Sequence, residues 1–282
     1  MKTMKKLLFS TLVLLLIFST VVFYIYPGIL YFTNFKGKDV KKTFTWKYPI
    51  NKDGKIVFNN KECNLTIHEW DKGETEYHLI IDTKTRSDTD ADILDRFLSN
   101  LKFANTPDSV LFEDHICKYR IEILDRMMMK LVGGKKVVLS KFSMKGELWI
   151  PSGCKFVLKS KDSKIDMDDF AGQLTVDLYN GNLYGGNLTN KAKIVDKFST
   201  IEFKDINELS ANLYNSSFKA INTGDLVIDS KFSRVTALSS GRLQIKSYND
   251  NYSIPKSGDI IFISKNSDLK TDSTDKIITR GW

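Results

Sequence analysis

From Leu174 onward the chain can be written in three rows that repeat one another. They are "LTVDLYNGNLYGGNLTNKAKIVDKFSTIEFKDINE" (174–208), "LSANLYNSSFKAINTGDLVIDSKFSRVTALSSGR" (209–242) and "LQIKSYNDNYSIPKSGDIIFISKNSDLKTDSTDK" (243–276). Leu174, Leu209 and Leu243 fall in one column, Tyr179, Tyr214 and Tyr248 in a second, and Asn180, Asn215 and Asn249 in a third. Phe198 and Phe232 align later in the rows. The period is 34–35 residues, each row divides into similar halves of about 17, and "KFVLKSKDSKIDMDDFAGQ" just before reads as another half-row. Such a period marks units that bury their apolar faces only by stacking on one another. Helical repeats of similar length are excluded by composition. The rows alternate Leu-x-Val-x-Leu and Ile-x-Phe-x-Ser and are broken by Asn, Gly, Ser and Asp, the pattern of short strands joined by turns.

Stacked rows would pair strand to strand at about 4.8 Å, with Leu174/Leu209/Leu243 and Val176/Ala211/Ile245 as inward columns. The Tyr and Asn columns fall at a corner, where Asn can satisfy turn backbone groups and a ladder of Asn can bond to itself. The alternative use of the Tyr column is a surface strip for sugars. A propeller blade of about 40–45 residues is longer than a row, and the strands, about five residues long, are too short to cross a bilayer as a barrel, which takes about 9–11.

Ahead of the repeats the signal is again period two. "TFTWKYPI", "GKIVFNN", "NLTIHEW" and "EYHLIIDTKT" read as strands, as do "CKYRIEIL", "KKVVLSKF" and "GELWIPSG", while "LDRMMMKL" fits either strand or helical turn. Between them "SDTDADILDRFLSNLKF" places Ile93, Leu94, Phe97 and Leu101 at helical spacing, with Asp88 or Asp90 as the N-terminal cap. Asp88, Asp90 and Asp92 do not form a calcium loop, because Ile93 and Ser99 stand where Gly and Glu are needed. "VGGKKV" fails as a phosphate loop for want of the first Gly and the Ser or Thr after Lys135.

The chain opens with Lys2, Lys5 and Lys6 and then carries no charge until Lys36. Leu7 to Tyr26 is 20 residues, which as a helix spans about 30 Å, the thickness of a bilayer's hydrocarbon core. This is longer than a typical cleavable leader, and no cleavage site follows, so residues 7–26 read as an uncleaved signal anchor. Tyr24, Tyr26 and Tyr31 are placed as interfacial anchors, and Pro27 ends or kinks the helix. Lys36, Lys38, Lys41 and Lys42 nearly balance the leading lysines, so orientation rests on the short basic start, which favours a bulk outside the cytoplasm.

The formal charge is +8, from 42 basic and 34 acidic residues, with no stripe of Lys or Arg interleaved with aromatics, so nucleic acid is not an expected partner. Cys63, Cys117 and Cys154 are too few and too scattered for a disulfide framework or a structural zinc, although one pair could bridge in an oxidising compartment.

"KIVFNNKECNLTIHEWDK", the helical insertion, "LWIPSGCKFVLKSKDSKIDMDDFAG" and the rows behind it together resemble the bacterial putative-adhesin family of β-strand repeats, over roughly residues 54–276. "IPSG" resembles that family's bend into its solenoid, while Ser163, Ser216 and Asp250 depart from it by standing where Gly181 stands in the first full row. The resemblance implies a β-helix-like domain in the cell envelope and carries no catalytic residues.

The expected fold is therefore all-β, a stacked β-solenoid with a short helical insertion and an N-terminal transmembrane helix. Residues 1–35 are the membrane anchor, 36–53 a linker and first strand, 54–154 an N-terminal β region with the insertion at about 88–101, and 155–282 the solenoid of 17/34-residue repeats. The expected function is a membrane-tethered binding, adhesion or scaffold module, with a glycan or envelope protein as partner and no cofactor, metal or catalytic site. The alternatives are a polysaccharide-active enzyme, or a partner of a membrane-bound regulator. The enzyme would draw on Asp166, Asp168 and Asp169, with Asp177 and Asp196 in later rows, but Asn212 and Lys246 interrupt the series. His68, His78 and His115 show no metal spacing, and the sequons at Asn64, Asn187, Asn215 and Asn251 read as turn residues.

Overall fold

The computed structural model describes residues 38–113, 117–123 and 126–281. The apolar run at 7–26, its tyrosines and His115 lie outside the described residues, as does the Cys117 side chain. Among the described residues no helix is long and apolar enough to cross a membrane.

Each coil begins with a strand that alternates inward and outward. Gln173–Tyr179 buries Leu174, Val176 and Leu178 and exposes Gln173, Asp177 and Tyr179. The chain turns a corner, runs a second strand such as Asn182–Gly185, turns again and lies parallel to its predecessor. The register is continuous: Leu174 faces Ala192, which faces Leu209, then Leu226, Leu243 and Ile260. Partners on adjacent coils are 18 or 17 residues apart. A sequence row is therefore two coils. The expected inward columns do point inward, but they interleave, with Ala192 between Leu174 and Leu209 and Ile194 between Val176 and Ala211. The result is an all-β solenoid of about seven turns, 71% strand, with one short helix among the described residues.

The stack extends back through Lys55–Lys61 and Asn64–Trp70, which pair in register with Lys155–Lys161 and Lys164–Met167. The intervening chain covers the end of the stack. Glu74–Thr85 lies antiparallel between Lys38–Pro49 and Lys136–Pro151. The last of these is one strand of 16 residues where the sequence suggests two, and Arg126–Leu131 resolves as a strand. Trp46, Phe58, Tyr77, Phe103 and Phe112 fill this end, with ring centroids 5.0–5.7 Å apart in six of their pairs. Gly153, at φ 79°, makes the bend of "IPSG". The helix spans Asp88–Ser99, and its cap is Ser87 rather than Asp88 or Asp90. The Ser87 hydroxyl accepts from the Asp90 N–H at 3.1 Å and donates to the Asp90 carboxylate at 3.0 Å, a reciprocal pair that buries Asp90. Cys63 and Cys154 are buried and unbridged, and burial pushes the Cys154 thiol up to about 12.

The first corner sets the fold's repeat. Asp162, Asn180, Phe198, Asn215, Phe232, Asn249 and Asn266 all have φ between 50° and 63°, the left-handed region that Asn and Asp enter most readily after Gly. The following residue is a serine in most coils. Its hydroxyl donates to the carbonyl two residues earlier, as Ser199 to Lys197 at 3.1 Å, Ser216 to Tyr214 at 2.9 Å and Ser233 to Lys231 at 3.0 Å. It also accepts an N–H from the preceding coil, as from Gly181 to Ser199 and from Ser216 to Ser233, each at 3.2 Å. Asp250 takes the same place and accepts from the Ser233 N–H, the Tyr248 N–H and the Ser247 hydroxyl. A hydroxyl ladder thus ties the corner. The expected Asn ladder does not form, because Phe198 and Phe232 separate Asn180, Asn215 and Asn249; Asn180 donates instead to Asp162, at 2.6 Å.

Inside this corner, Leu178, Asp196, Leu213, Ser230 and Ser247 form one inward column. Asp196 is 1% exposed, and neither carboxylate oxygen has a hydrogen-bond partner among the described residues. Burial raises its pKa, with the nearby Ser199 and Ser216 hydroxyls countering only in part. A folded pKa above the unfolded one means that the native state holds the proton longer. Stability is then greatest below the unfolded value and falls as pH rises through the folded value. Asp196→Ser, which copies Ser230 and Ser247, is expected to raise stability at neutral pH by about 1 kcal/mol. The gain should shrink as pH falls below the raised pKa, as read from melting curves at several pH values. Leu209→Asp, at a fully buried position, is expected to abolish the cooperative melt, because an unpaired buried carboxylate costs several kcal/mol, comparable to the whole stability.

Candidate functional site

The acids that suggested an enzyme do meet in part. Asp166, Asp168 and Asp169 line a cleft of about 620 Å³ at the second corner, together with Glu69, Tyr184 and Lys204. Glu69 and Lys204 were not legible as neighbours, because they come from the first coil and from a coil two further on. Asp177 and Asp196 do not join them: Asp177 lies on the outer face of its strand, and Asp196 points into the core.

Each acid of the cleft has a local partner. Asp166 accepts from the Lys164 ammonium at 2.9 Å, and Asp168 lies 2.7 Å from the His68 ring nitrogen. Glu69 accepts the Ala171 N–H at 2.6 Å. Asp169 accepts both the backbone and the side-chain N–H of Asn187, at 2.7 and 2.9 Å, and these bonds hold its carboxyl below the usual range. The pattern ties the 168–172 turn to the coils on either side. Among the described residues no group of three or more His, Cys, Asp or Glu is placed to hold a metal ion.

The outside of the first corner is different. Tyr179, Phe198, Tyr214, Phe232 and Tyr248 form an unbroken edge-to-face ladder, with centroids 5.5–5.9 Å apart and interplanar angles of 81–85°. Four of the rings remain 38–46% exposed. Lys161 sits over the Tyr179 ring at 5.1 Å and Lys265 over Tyr248 at 5.8 Å. In register, the Tyr column reads Tyr179, Lys197, Tyr214, Lys231, Tyr248, Lys265. The sequence rows showed the tyrosines and the two phenylalanines, but not that they form one ridge. That required the coil length, which places Phe198 between two tyrosines rather than across the stack from them.

The backbone at this corner is already satisfied. The N–H groups of Asn180, Phe198, Asn215, Phe232 and Asn249 donate to the carbonyls of Lys197, Tyr214, Lys231, Tyr248 and Lys265. What remains for a partner is the rings, the lysines and the amides of Asn215 and Asn249.

No protein-family model matches the chain, and no curated protein does either. Solved structures resemble it weakly, two of them as follows. One is a crystal structure of a putative lipid binding protein from Parabacteroides distasonis ATCC 8503, 13% identical, covering 86% of this chain and 95% of that one, with a TM-score of 0.33. The other is a crystal structure of a putative adhesin from Parabacteroides merdae ATCC 43184, 12% identical, covering the same shares, with a TM-score of 0.25. The second shares its name with the family that the sequence resembles. At these TM-scores neither structure bears on what this chain does, and no family is assigned to it.

Proposed function

We propose that the protein is a binding or scaffold module of the cell envelope, tethered to a membrane through residues 7–26, with the bulk of the chain extracytoplasmic and in contact with its partner through the aromatic corner. The observation that carries this reading is the five-ring ladder, four of whose rings are exposed. A contiguous apolar ridge left in solvent is the usual mark of an interaction surface.

The backbone adds a second support. Phe198 and Phe232 adopt φ of 63° and 55°, a conformation that bulky side chains rarely take. Asn occupies the same place on neighbouring coils, so the turn does not require Phe. Strain kept at a surface position, where burial does not repay it, points to use. A solenoid also offers extended area in place of a deep pocket, which suits adhesion or assembly. Tethering is supported by the length and apolarity of residues 7–26.

The enzyme reading has one observation in its favour, the meeting of four acids and Lys204 in one cleft. Asp168, Glu69 and Asp169 engage His68, Ala171 and Asn187 around the turn, and Asp166 pairs with Lys164 on its own strand. The full chain is expected to stay with membranes through carbonate extraction; recovery as a soluble protein starting near residue 30 would show a cleaved leader instead. No polysaccharide should be turned over. Turnover that is lost in an Asp166→Asn/Asp168→Asn variant would establish the enzyme.

A further inference from the structure

The structure points to a more specific partner for this corner. We infer that the aromatic ridge is a track for a linear, β-linked, anionic glycan lying along the stack axis, with two coils of protein per disaccharide. This rests on the binding-module reading above and names its ligand class.

The argument starts from a mismatch of periods. The backbone repeats every coil, since the same two corner positions recur with the same left-handed residue. The side chains repeat every second coil. Tyr179-Asn180, Tyr214-Asn215 and Tyr248-Asn249 alternate with Lys197-Phe198 and Lys231-Phe232. Nothing in the turn demands the alternation, because both dipeptides fit the same geometry. It does ensure that each of these coils presents one ring, while a lysine and an Asn amide each appear on every second coil.

Those spacings have chemical meaning. A ring per coil is a ring per about 4.8 Å of stack, and a lysine per two coils is a cation per about 9.6 Å. The first is close to the advance of one sugar in an extended β-linked chain, and the second to one disaccharide. Ring faces and edges suit the C–H surfaces of pyranoses, amides suit their hydroxyls, and a cation at the longer spacing suits one carboxylate per disaccharide. The charge is mostly basic. From Lys161 to Ser267, the three corner positions of every coil contain Lys161, Lys197, Lys231 and Lys265; of their two acids, Asp250 is buried and Asp162 accepts from the Asn180 amide at one end of the ridge. Arg234 lies on the flank beside Phe232, in the same shallow groove. A peptide partner would look for free backbone groups to pair with, and the corner N–H groups are already bonded within the ladder. Side-chain donors and rings are what a sugar uses.

The test uses the full chain in detergent micelles and calorimetric titration with three probes. These are hyaluronan oligosaccharides, with one carboxylate per β-linked disaccharide; chitin oligosaccharides, β-linked and uncharged; and oligothymidylate, a polyanion with bases in place of sugars stacked on the rings. Hyaluronan should bind most tightly. Its affinity should rise with length in disaccharide steps and fall with salt. Lys197→Gln with Lys231→Gln should weaken hyaluronan on the order of tenfold and leave chitin unchanged. Phe198→Asn with Phe232→Asn relieves the left-handed strain, so it should keep the melting temperature while weakening both glycans. Chitin binding as tightly as hyaluronan, with no effect of the lysine variant, would overturn the anionic assignment. Tighter binding of oligothymidylate, or binding of no probe, would overturn the glycan inference. In the last case, an envelope protein recovered with the wild type but not with the phenylalanine variant would leave the binding-module reading standing; loss of that too would remove both.

Discussion

The in-register parallel ladder between coils is the interaction on which the rest of the molecule depends. Because Leu174, Ala192, Leu209, Leu226, Leu243 and Ile260 face one another in sequence, every other property of a coil is repeated at a fixed offset from its neighbour. A shift by one residue would turn each buried column out to solvent and each outer column into the core. The register in turn depends on the corner, where one residue per coil enters the left-handed region and, in most coils, the next supplies a hydroxyl or carboxylate to the adjacent coil.

That corner also explains how a structural element becomes a surface for recognition. The backbone N–H groups and the serine hydroxyls are consumed in holding the coils together. The two residues that point away are then free to vary without cost to the ladder, and they vary in a regular way. Asp196 marks the limit of that freedom on the inner side. It occupies a column that elsewhere carries Leu or Ser, and the nearby Ser199 and Ser216 hydroxyls offset its burial only in part. The acids of the second corner show the opposite arrangement: they are gathered in a cleft, yet each has a partner, Asp168, Asp169 and Glu69 around the turn and Asp166 with Lys164 on its own strand.

Much of this was written in the sequence, and the rest was hidden for identifiable reasons. Period-two alternation reveals the strands, and the recurrence of Leu174, Leu209 and Leu243 reveals stacking. The coil length was obscured because corner chemistry has twice the period of the backbone, so the eye aligns Tyr179 with Tyr214 and passes over Lys197. The helix was legible from Ile93, Leu94, Phe97 and Leu101, but its cap was not, since Ser87 competes with three nearby aspartates for the same role. Pairing of Lys55–Lys61 with Lys155–Lys161 across 100 residues leaves no local trace at all. The meeting of Glu69 and Lys204 with Asp166 was invisible for the same reason, while Ser163, Ser216 and Asp250, which look like departures from a Gly turn, proved to be the ties of the corner.

The coil length is the claim on which both the fold and the reading of the corner rest, and paired cysteines test it directly. Lys193 and Ser210 are register partners on adjacent outer strands, whereas Thr175 and Ser210 are two coils apart. Neighbouring strands bring Cα atoms to about 4.8 Å, within disulfide reach, while two coils separate them by about 9.6 Å, beyond it. On mild oxidation, Lys193→Cys with Ser210→Cys should cross-link readily, and Thr175→Cys with Ser210→Cys should remain reduced, as read by mass spectrometry of the digested protein. Efficient linkage of the second pair and not the first would show a coil of 34–35 residues and contradict the account.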